Sequence, residues 1–248
     1  MIRLTRPPIP ASLSAVAANA TKALWASFQA GKPVAIDSTI YAHPSVKNAL
    51  RTAQHDKCAY CETLNPTSHE VVEHFRPKNG WRQKRGDSLI KPEYFWLAYE
   101  WTNLLFACDQ CNDRGHKENL FPLANPTHRA TARKPKIEKE KPLLLNPYEN
   151  DDPQNHIEWN RDIPRPRNGS SKGRETITAF KLDEASRLLR IRKDHLETTE
   201  KMLTAVEALP VGHVKRLAVK PVFQKYIGNE GPWSAMLRAN LEARILAL

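Results

Sequence analysis

Cys58-Ala59-Tyr60-Cys61 and Cys108-Asp109-Gln110-Cys111 hold all four cysteines of the chain. Two C-x-x-C knuckles with no thiol left over read as one four-thiolate site, because tetrahedral Zn²⁺ takes four soft ligands and each knuckle offers two neighbouring vertices. The alternative is two disulfides or a redox pair, but a redox C-x-x-C has no use for a second copy. The stretch from Cys61 to Cys108 exceeds the roughly 15–20 residues of a simple zinc ribbon. A further element is therefore inserted between the knuckles.

Working outward, the polar turn Asn65-Pro66-Thr67-Ser68 leads to Val71-Val72-Glu73-His74-Phe75, a β-branched and aromatic segment expected to be a strand. Residues 77–92, rich in Lys and Arg with Pro and Gly, read as an exposed loop. Tyr94 to Trp101 reads as a buried helical turn or a second strand, which a short apolar run does not distinguish. Asn112-Asp113-Arg114-Gly115-His116-Lys117 reads as a short helix leaving the second knuckle, weakened by Gly115. Upstream, residues 11–30 predict a helix ending near Gly31, with Leu13, Val16, Leu24 and Phe28 as its apolar stripe. Residues 44–56 predict another, opened by Pro44 and Ser45 and carrying Val46, Ala49, Leu50 and Ala53 on one face.

Downstream, Arg133, Lys134, Lys136, Lys139 and Lys141 mark 124–142 as a linker or basic surface loop. Leu143 to Pro147 is expected to pair with His156 to Trp159 as β structure, and Pro164 to Lys172 to be loop. One long helix is expected over 174–209, with Ala185, Leu189, Leu196, Leu203 and Val206 on a stripe, and two more around 212–226 and 232–247. The fold class is α+β, mostly helical. Its expected parts are an N-terminal helical segment (1–57), a zinc-knuckle module (58–123), and a basic linker with a C-terminal helical region (124–248).

The chain has 248 residues, 38 Lys plus Arg against 27 Asp plus Glu, and a net charge of +11, a balance that favours a polyanionic partner such as nucleic acid. No run approaches the roughly 18 apolar residues of a membrane span, and 9 glycines exclude a collagen-like chain. Residues 1–36 lack Asp and Glu, which suits a transit peptide as well as a first helix. Pro7, Pro8 and Pro10 interrupt the apolar region that a signal peptide needs. A cytoplasmic location is the default expectation.

Cleaving a phosphodiester needs a base to activate water and a cation to neutralise developing charge. A Glu-His pair such as Glu73-His74 is by itself more often a solvated surface pair. Its setting changes the reading: knuckle, Val-Glu-His-Phe-Arg-Pro-Lys, then Trp101-Thr102-Asn103-Leu104-Leu105, then knuckle followed at once by Asn112. This order resembles the HNH endonucleases, whose ββα-metal motif often sits between two zinc knuckles. The resemblance implies Glu73 as the first acidic metal ligand, His74 as general base, Asn103 as the residue that pins the loop beneath the base, and Asn112 as the second ligand. His116, at i+4 from Asn112, would share a helix face with it and complete the shell, or else be a surface histidine. His69 reads as a turn residue.

His74-Phe75-Arg76-Pro77-Lys78, Trp96 to Leu104, Cys111-Asn112 and Phe121-Pro122 more specifically resemble the PtuB-like HNH nucleases of Septu-type and some retron-associated antiphage defence systems. Leu145-Asn146-Pro147, Asp151-Asp152-Pro153, His156-Ile157 and Gly173-Arg174 fit that group less stringently. The resemblance implies a nuclease acting on DNA or RNA beside an ABC-type or SMC-like ATPase, with structural Zn²⁺ on the four cysteines and catalytic Mg²⁺ or Mn²⁺ on oxygen ligands. Arg76 and Lys78 are expected to hold phosphates flanking the cut. Trp96 and Trp101 read as core, and Trp81 as a base-stacking candidate. The rival expectation is a non-catalytic zinc module that binds nucleic acid or a partner protein.

Overall fold

The computed structural model describes residues 1–64, 71–113, 115–184 and 186–248. The expected turn Asn65-Pro66-Thr67-Ser68, His69, Arg114 and Ala185, all given a place above, lie outside the described residues. The N-terminal stretch forms α1 (Ala11–Ser14), α2 (Ala17–Gln29), α3 (Ser38–Tyr41) and α4 (Pro44–Ala53). The helix expected over 11–30 breaks at Val16, which is 40% exposed, whereas Leu13 and Leu24 are buried. Gly31 at φ +64° stops α2 as expected. Asp37 caps α3 through Thr39 N–H, and the His43 ring caps α4 ahead of Pro44 at its first turn.

α4 buries Val46 and Leu50 completely, the face that its spacing predicts. Gln54 at its end donates to the carbonyls of Lys57 and Phe106 and accepts from Phe106 N–H. Phe106 lies on β2 (Leu104–Ala107), which pairs antiparallel with β1 (Val71–His74) so that Glu73 faces Leu105 and His74 faces Leu104. The approach from Tyr94 to β2 is made of two 3₁₀ turns, Phe95–Leu97 and Trp101–Asn103. After β2 comes α5 (Asp109–Asn112), capped by Cys108.

The region 124–142 is no linker. Glu140, 8% exposed, accepts from Tyr94 Oη at 2.5 Å, Arg76 Nε at 2.7 Å and Ala130 N–H at 2.9 Å. Arg129 lies over the Trp81 ring at 3.8 Å and donates to Tyr94 Oη and the Phe121 carbonyl. The stretch is a strap that buries Arg129, Ala130, Ala132 and Glu140 and whose lysines face outward.

The expected pairing of 143–147 with 156–159 is also corrected. β3 (Ile157–Asn160) instead forms a hairpin with β4 (Ile163–Pro166), turning at Arg161 with φ +56°. Each strand of a two-stranded sheet has an unpaired side, which is where prolines such as Pro164 and Pro166 are tolerated. The 174–209 helix is two: α6 (Ser171–Phe180) ends on left-handed Lys181, and α7 (Arg187–Glu207) restarts on a Ser186 cap. Leu196 and Leu203 are buried as expected, and Leu188 takes the core place given above to Leu189. α8 (Val214–Ile227) and α9 (Ser234–Leu246) close the chain.

The result is α+β, with helix in somewhat under half of the chain rather than most of it and two small antiparallel strand pairs among the described residues. One apolar core takes side chains from Met1 through to Leu248. Among the described residues no helix is long and apolar enough to cross a membrane.

Candidate functional site

The first knuckle is a tight turn held by Glu62 N–H on the Cys58 carbonyl and Cys58 N–H on the Thr63 carbonyl. Ala59 N–H donates to the Phe106 carbonyl at 3.0 Å, tying the turn to β2, which runs directly into Cys108. The inserted hairpin therefore brings the knuckles together. All four sulfurs are buried and lie within 4.8 Å of one another, with Cys61 and Cys108 3.8 Å apart. Tetrahedral Zn²⁺ with bonds of about 2.3 Å asks for sulfurs about 3.8 Å apart. The donor set and its spacing fit a structural zinc ion.

Beside this cluster β1, the residues that follow it and the end of α5 wall a cavity of about 410 Å³ whose lining includes Glu73, His74, Lys78 and Asn112. His74 is buried, and its Nε2 lies 3.0 Å from the Ala98 carbonyl. A carbonyl can only accept, so Nε2 carries the proton and Nδ1 is the basic atom of the neutral ring. Burial, then the Lys78 ammonium, push His74 well below the ordinary imidazole range, so the ring is neutral near pH 7.

Asn103 holds the backbone around this histidine. Its Nδ2 donates to the carbonyls of Arg76 and Leu97, and its Oδ1 accepts from Arg76 N–H at 2.8 Å. Its own carbonyl accepts from Phe75 N–H. Leu97 precedes Ala98, so the side chain that fixes Arg76 also fixes the turn that receives the His74 proton.

Three placements differ from expectation. Arg76 is absent from the cavity wall: its Nε pairs with Glu140, and its guanidinium lies 5.4 Å from the Phe121 ring centroid. A buried carboxylate is a stronger claim on that cation than solvent. α5 stops at Asn112, with Gly115 at φ +86°, so His116 shares no helix face with Asn112. His116 lines a separate cavity of about 310 Å³ with Arg82 and Arg85. Trp81 has its ring covered by Arg129, which removes one face from base stacking. Trp96 and Trp101 are core, Trp96 stacking on Trp25 and Trp101 donating to the Pro7 carbonyl.

Sequence reasoning missed Lys117. It is 1% exposed, pairs with Glu73 Oε1 and donates to the His74 carbonyl at 2.8 Å. Burial lowers its pKa, and the Glu73 charge works against that shift. Its position in a polar, basic stretch carries no sign of burial. Tyr41 and Lys47, from the N-terminal helices, also reach the cavity wall. Neither belongs to any motif between the knuckles.

Comparison with known proteins gives two likenesses. Over 189 residues, 75% of its length, the chain is 39% identical to Septu protein PtuB of Bacillus mycoides (strain KBAB4). It is similar to a Septu protein. A stretch of 103 residues is also 31% identical to Septu protein PtuA of the same strain. The matched regions span 60% of that PtuB and 14% of that PtuA. No family model matches the chain, and no solved structure matches it.

Proposed function

We propose that this chain is a metal-dependent HNH endonuclease, the cutting component of a Septu-type antiphage system that works with an ATPase partner. The observation that carries the reading is His74: a buried, neutral imidazole whose Nε2–H is committed to Ala98, leaving Nδ1 as base in a residue of the cavity wall. In that reading Nδ1 takes a proton from the water that attacks the phosphate. Asn103 keeps the base oriented through the Arg76 and Leu97 backbone. Lys78, on the cavity wall, meets the phosphate beside the cut.

Glu73 has one oxygen on Lys117, leaving the other, with the Asn112 amide oxygen, as hard donors suited to Mg²⁺ or Mn²⁺. A cation bound there would supply Lewis-acid neutralisation of charge on the phosphate and the departing oxygen. Zinc on the four cysteines is structural in this reading, because four thiolates leave no open position. The net charge of +11 supports a nucleic-acid substrate, DNA or RNA.

The test is a cleavage assay on plasmid DNA and on RNA, with the ATPase present, in Mg²⁺ or Mn²⁺ and in EDTA. His74→Ala should lose at least ~10²-fold in rate with zinc content unchanged. Equal cutting by parent and His74→Ala refutes the mechanism. The Glu73–Lys117 pair favours one second reading, a non-catalytic zinc module, since an ammonium already neutralises the carboxylate. Mn²⁺ binding that is indifferent to Glu73→Ala would select it.

A further inference from the structure

The His74 ring is held from more sides than the residues between the knuckles provide. The Tyr41 ring meets it edge to face, with centroids 4.6 Å apart and planes at 80°. Lys78 Nζ lies 4.9 Å from the centroid of the same Tyr41 ring. Tyr41 is the last residue of α3, and the residue before that helix, Asp37, donates its N–H to Tyr99 Oη at 2.7 Å. Tyr99 follows Ala98, the acceptor of the His74 proton. The contacts thus close a circuit: imidazole to Ala98, along the backbone to Tyr99, through its hydroxyl to Asp37, along α3 to Tyr41, and back to the imidazole. A ring held only by one hydrogen bond can still swing about it. A second contact at right angles removes the swing, which is how packing locks a functional rotamer.

We infer that Tyr41 is a positioning residue of the cutting site, whose ring fixes the tilt of His74 and, through the ammonium over its face, the place of Lys78. Base and phosphate-binding cation are then set together by a residue that precedes the first knuckle. The ring does this, not the hydroxyl. The catalytic meaning rests on the nuclease reading above, while the placement of His74 is measurable without it.

The experiment uses the full chain as Tyr41→Phe and Tyr41→Leu, with zinc content and thermal melting as controls, and ¹⁵N-histidine labelling. Long-range ¹H–¹⁵N spectra report the His74 tautomer, assigned by His74→Gln. Parent and Tyr41→Phe should show the single Nε2–H tautomer, and Tyr41→Leu averaged shifts. In cleavage, Tyr41→Leu should lose on the order of 10–10²-fold in kcat, the size of a small misplacement of a reacting group, and Tyr41→Phe should keep the parent kcat. Should Tyr41→Leu fail to fold, Asp37→Ala releases the start of α3 from its Thr39 cap and should give the same spectral change in weaker form. A parental spectrum and parental kcat in Tyr41→Leu overturn the inference, as does a Tyr41→Phe protein as impaired as Tyr41→Leu. Averaged shifts in Tyr41→Leu, in a preparation whose parent does not cut, uphold the positioning of His74 and overturn the nuclease reading instead.

Discussion

Replacing Asn103 by Ala removes three side-chain hydrogen bonds at once, two given to the carbonyls of Arg76 and Leu97 and one taken from Arg76 N–H. Each such bond contributes about 1 kcal/mol net, and a buried group left unpaired costs about 1–3 kcal/mol. Asn103 is 3% exposed, so water does not easily replace the amide, although half-buried Arg76 is partly reachable. The expected loss is about 3–5 kcal/mol, a large share of the roughly 5–15 kcal/mol that holds a domain folded. Urea unfolding with saturating zinc, followed by circular dichroism, measures it. Asn103→Asp sharpens the argument, because it keeps the acceptor for Arg76 N–H and sets a carboxyl against two carbonyls. Those carbonyls favour the protonated form and raise its pKa. A raised folded pKa gives stability present at low pH and lost as pH rises through it, so Asn103→Asp should lie closer to the parent at pH 5 than at pH 8. A loss below about 1 kcal/mol for Asn103→Ala, the worth of a single bond, would refute this account of what pins the loop.

Three further outcomes are expected. Elemental analysis should find one zinc per chain, and Cys111→Ser should lose zinc and solubility together, since structural zinc contributes on the order of 10–16 kcal/mol in small fingers; folded protein without zinc ends that claim. His74 is neutral when folded and protonates in the unfolded chain below about pH 6.5, so its contribution is complete above that pH and is lost as pH falls toward its lowered folded pKa. Between pH 6.5 and 5 the parent should therefore lose more stability than His74→Gln, by up to about 1.4 kcal/mol per pH unit, a difference in which zinc effects cancel. Lys117→Met leaves Glu73 buried without its partner and should cost about 3–5 kcal/mol; Mn²⁺ should restore much of that melting temperature, and no rescue would count against Glu73 as a metal ligand.

What could be read from sequence follows from how local each signal is. The knuckles were legible because ligand spacing is itself the chemistry, and α4 because Val46 and Leu50 recur at helical period. The β1 strand was legible from its β-branched composition. The role expected of Asn103 came from resemblance alone, and its hydrogen bonds to the Arg76 and Leu97 carbonyls join residues too far apart for any periodicity to pair. The break at Lys181 was hidden because the apolar spacing continues through it, and only a left-handed backbone marks the stop. Arg76 looked like a phosphate ligand because its partner, Glu140, sits 64 positions away in a lysine-rich stretch. Tyr41 and Lys117 were invisible for the same reason: their neighbours are set by tertiary contact, which no periodicity encodes.

The strap across 124–142 changes how the chain would greet a polyanion. The bridge between Leu123 and Pro142 joins the ends of the strap, and Ala130 N–H on Glu140 and Ala132 N–H on Glu93 hold its middle. Arg133, Lys134, Lys136, Lys139 and Lys141 are exposed between those moorings. A tail carrying the same cations would search a wide volume and surrender that freedom on contact. A moored strap has already surrendered it during folding, so docking there spends little further chain entropy. Against such a partner its lysines would act as a fixed stamp with a set outline, answering to the spacing of charges on the surface they met.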